Sequence, residues 1–283
     1  MTTNHYVHPE VLVETDWVKQ NLGKPGIRLV EVDVDTKAYD AGHIPGAVGL
    51  NWQSQLQDQV RRDIVSKHEF ERLMSEAGIS PGDTVILYGD NNNWFAAYGF
   101  WLFKLYGHKD VRLMNGGRVK WLNEADKELT PEKPKTTPTK YQVSEPDLSL
   151  RALLPEVLKA QSDKRHNLVD VRSPDEFTGK VIAPPGMTET AQRGGHIPGA
   201  KSIPWSTAIN QDGTFKSADD LRKIYLSNAG VDPGKDTISY CRIGERSSHT
   251  WVVLKYLLGL PNVKNYDGSW TEYGSIVGAP IEK

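Results

Sequence analysis

One cysteine stands in the 283 residues, at position 241. A single thiol excludes an internal disulfide framework and any metal site built from several cysteines. An excess of one charge is missing as well. The 34 basic residues face 36 acidic ones, and a net charge of −2 gives a nucleic-acid partner no electrostatic footing. No apolar run approaches the roughly 18 residues that a membrane span needs. Met1 to Val13 has neither a basic start nor an apolar stretch of the secretory kind. The expectation is a cytoplasmic protein with no membrane or nucleic-acid partner, and nothing in the composition calls for a metal or a cofactor.

What the chain has is an internal repeat. His43-Ile44-Pro45-Gly46-Ala47 returns as His196-Ile197-Pro198-Gly199-Ala200, and Leu29-Val30-Glu31-Val32 returns as Leu168-Val169-Asp170-Val171. From Ala77 onward the matches keep one ungapped offset of 152 residues, pairing Ala77 with Ala229, Tyr88 with Tyr240 and Gly116 with Gly268. Two copies of one domain follow, as the length also suggests. In each copy, short apolar segments of strand type alternate with helical patterns. The strands are expected at Arg28–Val32, Thr84–Tyr88 and Val111–Met114, and at Asn167–Val171, Thr237–Tyr240 and Val263–Tyr266. Such alternation predicts an α/β fold with a parallel sheet flanked by helices on both faces. Residues 1–125 and 148–283 are the two expected domains. Residues 126–147, with Pro131, Pro134, Pro138 and Pro146, form a linker with no apolar face to bury. The second copy also carries an insertion, 180–193, after its first strand. It either flanks the ligand side of the sheet or is a tolerated surface loop.

Comparing the copies separates fold from chemistry. The His-Ile-Pro-Gly-Ala segment occurs in both, which marks His43 and His196 as turn and packing residues. The loop Cys241-Arg242-Ile243-Gly244-Glu245-Arg246, followed by Ser247, matches Gly89-Asp90-Asn91-Asn92-Asn93-Trp94, which has no thiol and no arginine. Only the second loop can act, with Cys241 as nucleophile. It sits between a strand end and a helix start, where unpaired N–H groups favour an anion. With Arg242 and Arg246 close by, these surroundings are expected to lower the thiol pKa. A thiolate held this way suits sulfur transfer, phosphate-ester hydrolysis or disulfide exchange. The last normally needs a second cysteine. Protein tyrosine phosphatases use Cys-x5-Arg, whereas Arg246 gives Cys-x4-Arg, a smaller ring that suits sulfur better than a phosphoryl group.

The whole chain resembles the two-domain rhodaneses, thiosulfate sulfurtransferases, and its Cys-Arg-Ile-Gly-Glu-Arg-Ser loop resembles the actinobacterial branch. The marks are the two His-Ile-Pro-Gly-Ala segments, the run Leu168 to Phe177, Cys241-Arg242 and the ending Asn265-Tyr266-Asp267-Gly268-Ser269-Trp270. The resemblance implies two tandem rhodanese-like domains, the first inactive. It implies that Cys241 takes the sulfane sulfur of thiosulfate as a persulfide. The sulfur then passes to cyanide or another thiophile, such as a thiol or a sulfur-acceptor protein. Arg242, Arg246 and Arg172 are the candidates for the substrate's sulfonate, and Ile243, Gly244, Glu245 and Ser247 complete the loop. Structural ion pairs compete for two of these arginines: Asp170, Asp175 or Glu245 could hold Arg246, and a salt bridge could hold Arg172. Vertebrate relatives carry Lys where Ile243 stands and Arg where Glu176 stands. 3-Mercaptopyruvate sulfurtransferases, with Cys-Gly-Ser-Gly in the loop, are the alternative, as is a non-enzymatic sulfur carrier.

Overall fold

The computed structural model describes residues 5–124, 126–187 and 190–283. Ala125, the expected end of the first domain, lies outside them, as do Thr188 and Glu189 of the insertion. The chain forms two compact units. One comprises Glu10–Asp147 with Asn210–Phe215; the other comprises Leu148–Ile209 and Lys216–Lys283 with the residues up to Pro9.

Among the described residues, nine strands run β1 (Leu12–Val13), β2 (Ile27–Asp33), β3 (Val48–Asn51), β4 (Thr84–Tyr88), β5 (Val111–Met114), β6 (Asn167–Asp170), β7 (Lys201–Ser202), β8 (Thr237–Tyr240) and β9 (Val263–Tyr266). The first unit's sheet has the order β1-β5-β4-β2-β3 and the second's β7-β6-β8-β9, every pairing parallel. The central strands are continuous apolar runs because helices cover both faces of a parallel sheet. Three short strands escaped the sequence pattern: β1, β3 and β7. All lie at sheet edges and are two to four residues long, too short for a period to show.

Shared residues do shared structural work. The Tyr88 hydroxyl accepts from Ile44 N, and the Tyr240 hydroxyl accepts from Ile197 N, each at 3.1 Å. His43 stacks on Tyr39 with ring centroids 3.9 Å apart, and His196 stacks on Phe177 at 3.5 Å. Each Nδ1 sits within hydrogen-bond distance of the carbonyl of its stacking partner. Both histidines are therefore packing residues. The helices at Lys67–Glu76 and Ala218–Arg222 start at matching serine caps, Ser66 and Ser217, whose side chains accept from Glu69 N and Asp220 N.

The 126–147 segment differs from the expected linker. Tyr141 is buried, edge-on to Phe70 at 6.0 Å, and its hydroxyl meets His108 Nδ1 at 2.7 Å. Thr130 pairs with His43, and Thr139 N donates to Ser75 O. The segment is a strap bound across the first unit. A lone tyrosine among prolines and lysines left no periodicity to announce this.

Candidate active site

Strand β8 ends at Tyr240, and Cys241 is the next residue. The chain turns at Gly244, which adopts φ +101°, and a helix runs from Glu245 to Val252. A Cβ on Gly244 would also come within 2.9 Å of Asp267 Cα, so conformation and space both require glycine there. The loop is tied down at several points. Cys241 N donates to Ser269 Oγ (3.1 Å), Trp270 N donates to Cys241 O, and Thr271 N donates to Arg242 O. The Ser248 hydroxyl donates to Gly244 O at 2.7 Å, and the single proton of the Ser247 hydroxyl has two acceptors in reach, Asn265 Oδ1 at 2.6 Å and Gly244 O at 3.1 Å.

Inside this ring the thiol is fully buried. Gly244 N donates to Sγ at 3.1 Å, and Sγ meets Glu245 Oε2 at 3.2 Å. Burial pushes the thiol pKa up, and the Glu245 carboxylate pushes it further. Arg246 and hydrogen bonds from Ser247 act the other way and lose. The expected lowered pKa is therefore wrong. The spacing Cys-x4-Arg shows that a cation is near but not that a carboxylate already holds it. Arg246 forms a two-pronged pair with Glu176, Nη1 to Oε2 at 2.9 Å and Nη2 to Oε1 at 3.0 Å. Of the partners anticipated for Arg246, Glu245 does pair with it, Oε1 lying 3.4 Å from Nε, while Asp170 and Asp175 do not, and the two-pronged contact falls to Glu176. Glu176 also closes a capping box with Ser173 at the start of its helix. The sequence pattern assigned it neither that role nor the reach to Arg246.

The other two arginines differ. Arg172 is fully buried, its guanidinium on both Asp170 oxygens and on Gly195 O (2.7 Å), stacked 4.5 Å from the Trp270 ring. It is a structural ion pair, and the expectation that it binds substrate fails on that ground. Arg242 Nη2 donates to Met187 Sδ at 2.7 Å. A thioether is a weak acceptor. The contact brings the 180–193 insertion to the loop. Arg193 anchors the insertion's far end through Nη1 to Ala279 O. Met187 and Ser269 lay within stretches the sequence had marked, the insertion and the ending Asn265 to Trp270, but nothing singled out either residue. His249, one helical turn along the helix, is held neutral by burial, its pKa pushed down to about 3.

The matching loop of the first unit is built against a thiol. A Cβ on Gly89 would stand 2.3 Å from Val32 O and 2.8 Å from Asp33 Oδ1. Gly89→Ala is expected to destabilise that unit by about 1–3 kcal/mol, as inserted volume does in a packed interior, read by urea unfolding. Charge is inverted too. Asp33 and Asp90 occupy the places of Arg172 and Arg242, with Asp90 N donating to Asp33 Oδ1 at 2.7 Å. Burial, then Asp90 and Glu31, push the Asp33 carboxyl up to about 10. A raised folded-state pKa gives stability that is full below the unfolded value near ~4 and is lost as pH rises towards about 10. Asp33→Asn, which can still accept from Asp90 N, should flatten this loss. The slope it removes is up to about 1.4 kcal/mol per pH unit, measured by unfolding at successive pH values.

Comparison with known proteins agrees with this architecture. The Rhodanese-like domain model matches residues 14–124 and 154–275. A Saccharopolyspora erythraea protein named "Putative thiosulfate sulfurtransferase" is 62% identical over 275 residues, 96% of either chain. The "Sulfur carrier protein TtuD" of Thermus thermophilus is 56% identical, covering 98% of both chains. Among solved structures, the 3-mercaptopyruvate sulfotransferase SseA of Escherichia coli superposes with a TM-score of 0.79 at 25% identity, covering 92% of this chain and 98% of that one. Among the described residues, no helix is long and apolar enough to cross a membrane. With both halves matched by one domain model and relatives of this identity along nearly its full length, the chain belongs to the rhodanese family.

Proposed function

We propose that the protein moves the sulfane sulfur of thiosulfate to a thiophilic acceptor through a persulfide on Cys241, and that its first domain is catalytically inactive. The observation that carries this is the pairing of the two loops. One surrounds the chain's only thiol with a donating N–H 3.1 Å from sulfur, and the other has no room for a side chain at the matching position. Arg242 is the candidate for the sulfonate, because it follows Cys241 directly on the loop and a guanidinium suits fork-like binding of an oxyanion. Arg246, committed to Glu176, holds the loop. The acceptor is cyanide in an assay and a thiol or sulfur-acceptor protein otherwise. The name of the Thermus relative favours a second reading, in which the persulfide is handed to a partner without turnover on a small molecule.

Two measurements test this. After incubation with thiosulfate, intact mass should rise by one sulfur atom, located on Cys241; no adduct would count against the persulfide. Steady-state rates with thiosulfate and with 3-mercaptopyruvate, each against cyanide, then rank the donors. Arg242→Ala should raise KM for thiosulfate on the order of tenfold, the loss of about one charge-assisted hydrogen bond, and should raise KM for mercaptopyruvate less. The reverse order would favour the alternative donor.

A further inference from the structure

Glu245 is built into the loop in a way that loop-holding does not explain. Its carboxylate is 1% exposed. Among the described residues it meets two groups: Cys241 Sγ, 3.2 Å from Oε2, and Arg246 Nε, 3.4 Å from Oε1. It accepts from no backbone N–H of the ring. The matching residue of the first unit behaves differently. Asn93 reaches back to the same place, but there its Oδ1 accepts from Gly89 N at 3.0 Å and its Nδ2 donates to Met114 O at 2.8 Å. One backbone geometry serves two ends: an amide that ties the loop, and a carboxylate that faces the thiol.

Resting on the persulfide reading, we propose that Glu245 is a catalytic residue, the base that takes the Cys241 proton as sulfur attacks. The buried thiol is protonated at neutral pH, and water is excluded from Sγ, so the proton needs an acceptor inside the ring. Oε2 is within transfer distance. The step balances. The proton passes from Sγ to Oε2, and the sulfur pair forms a bond to the outer sulfur of thiosulfate. The S–S bond of thiosulfate breaks, and sulfite leaves with its electrons. The terminal persulfide sulfur keeps the negative charge that it carried in thiosulfate. When cyanide removes that sulfur, the thiolate takes the proton back. Transfer to Glu245 also neutralises the one carboxylate that would otherwise face an incoming dianion and the persulfide anion at close range in a dry site. The remaining charges around the pair are already matched: Arg246 with Glu176, Arg172 with Asp170, and Arg151 with Asp267 behind Gly244. Arg242 lies on the loop itself, and His249 is neutral.

A shared proton has a kinetic signature. While the Cys241–Glu245 pair holds one proton, the fraction in the reactive form does not change with pH. Alkylation of the wild-type protein by iodoacetamide should therefore be level across neutral pH. In Glu245→Gln the thiol titrates alone, and the rate should climb about tenfold per pH unit up to its pKa. Single-turnover release of sulfite from thiosulfate should fall in that variant on the order of 10²-fold near neutrality. Glu245→Asp, which keeps a carboxylate should the amide disturb folding, should load sulfur more slowly but keep the level profile. A Glu245→Gln protein with the wild-type pH profile, or one that releases sulfite as fast, overturns the proposal. So does a wild-type alkylation rate that climbs through neutrality. Alkylation needs no sulfur donor, so a failure of the persulfide reading would appear separately, as a wild-type protein that alkylates but gains no sulfur.

Discussion

Cys241→Ser yields a folded protein that gains no mass from thiosulfate and makes no thiocyanate. The hydroxyl fits the site, since it can accept from Gly244 N and donate to Glu245 Oε2 as the thiol does, so unfolding should shift little. Its oxygen is far less acidic and less nucleophilic than sulfur. No second thiol exists to compensate, and the first unit has no space for one beside Val32 O. Activity should drop to the uncatalysed background, measured as thiocyanate formed with cyanide in excess. Retained turnover would move the chemistry to another residue and end the assignment.

The second large effect is on stability. Glu176→Ala should cost about 3–5 kcal/mol, the loss expected when one partner of a buried pair is removed and the other charge stays behind. Arg246 loses its two-pronged carboxylate and keeps the longer contact to Glu245 Oε1 at 3.4 Å, and the Ser173 cap loses the Glu176 oxygen that accepts from Ser173 N at 3.0 Å. Urea unfolding of the second unit reads the change. Combining Glu176→Leu with Arg246→Met should restore most of the stability, because apolar pairs of similar volume replace buried ion pairs well. Sulfur loading in that double variant separates two roles for Arg246. An unchanged KM for thiosulfate marks a residue that holds the loop, and a raised KM marks one that touches substrate.

Much of this was readable from residues alone. Two copies, parallel sheets and the placement of Cys241 at a strand end follow from spacing, and β4, β5, β8 and β9 fall on their expected residues. These features depend on local pattern, and local pattern is what a sequence displays. The electrostatics of the loop was not readable, because it depends on which long side chains meet. Arg246 found Glu176 seventy residues away, and Arg172 turned onto Asp170 two residues back. Glu245 turned from a neighbour in sequence into a carboxylate 3.2 Å from the sulfur. Two of the three cations counted along the chain became ion pairs, Arg246 with Glu176 and Arg172 with Asp170, while Arg242 reaches Met187 Sδ. That is why a thiol expected to be acidic is instead held protonated.

The missing Cβ at Gly89 has a consequence for the history of the chain. A duplicated enzyme half that had merely lost its cysteine could regain it by one substitution. This half cannot. A side chain at position 89 collides with the neighbouring strand, and the positions that would need arginine now hold Asp33 and Asp90, hydrogen-bonded through Asp90 N and Asp33 Oδ1. Reactivation would take several changes at once, each harmful alone. On the proposed reading, the first half is held as a scaffold, and change in what the protein reacts with falls to the second.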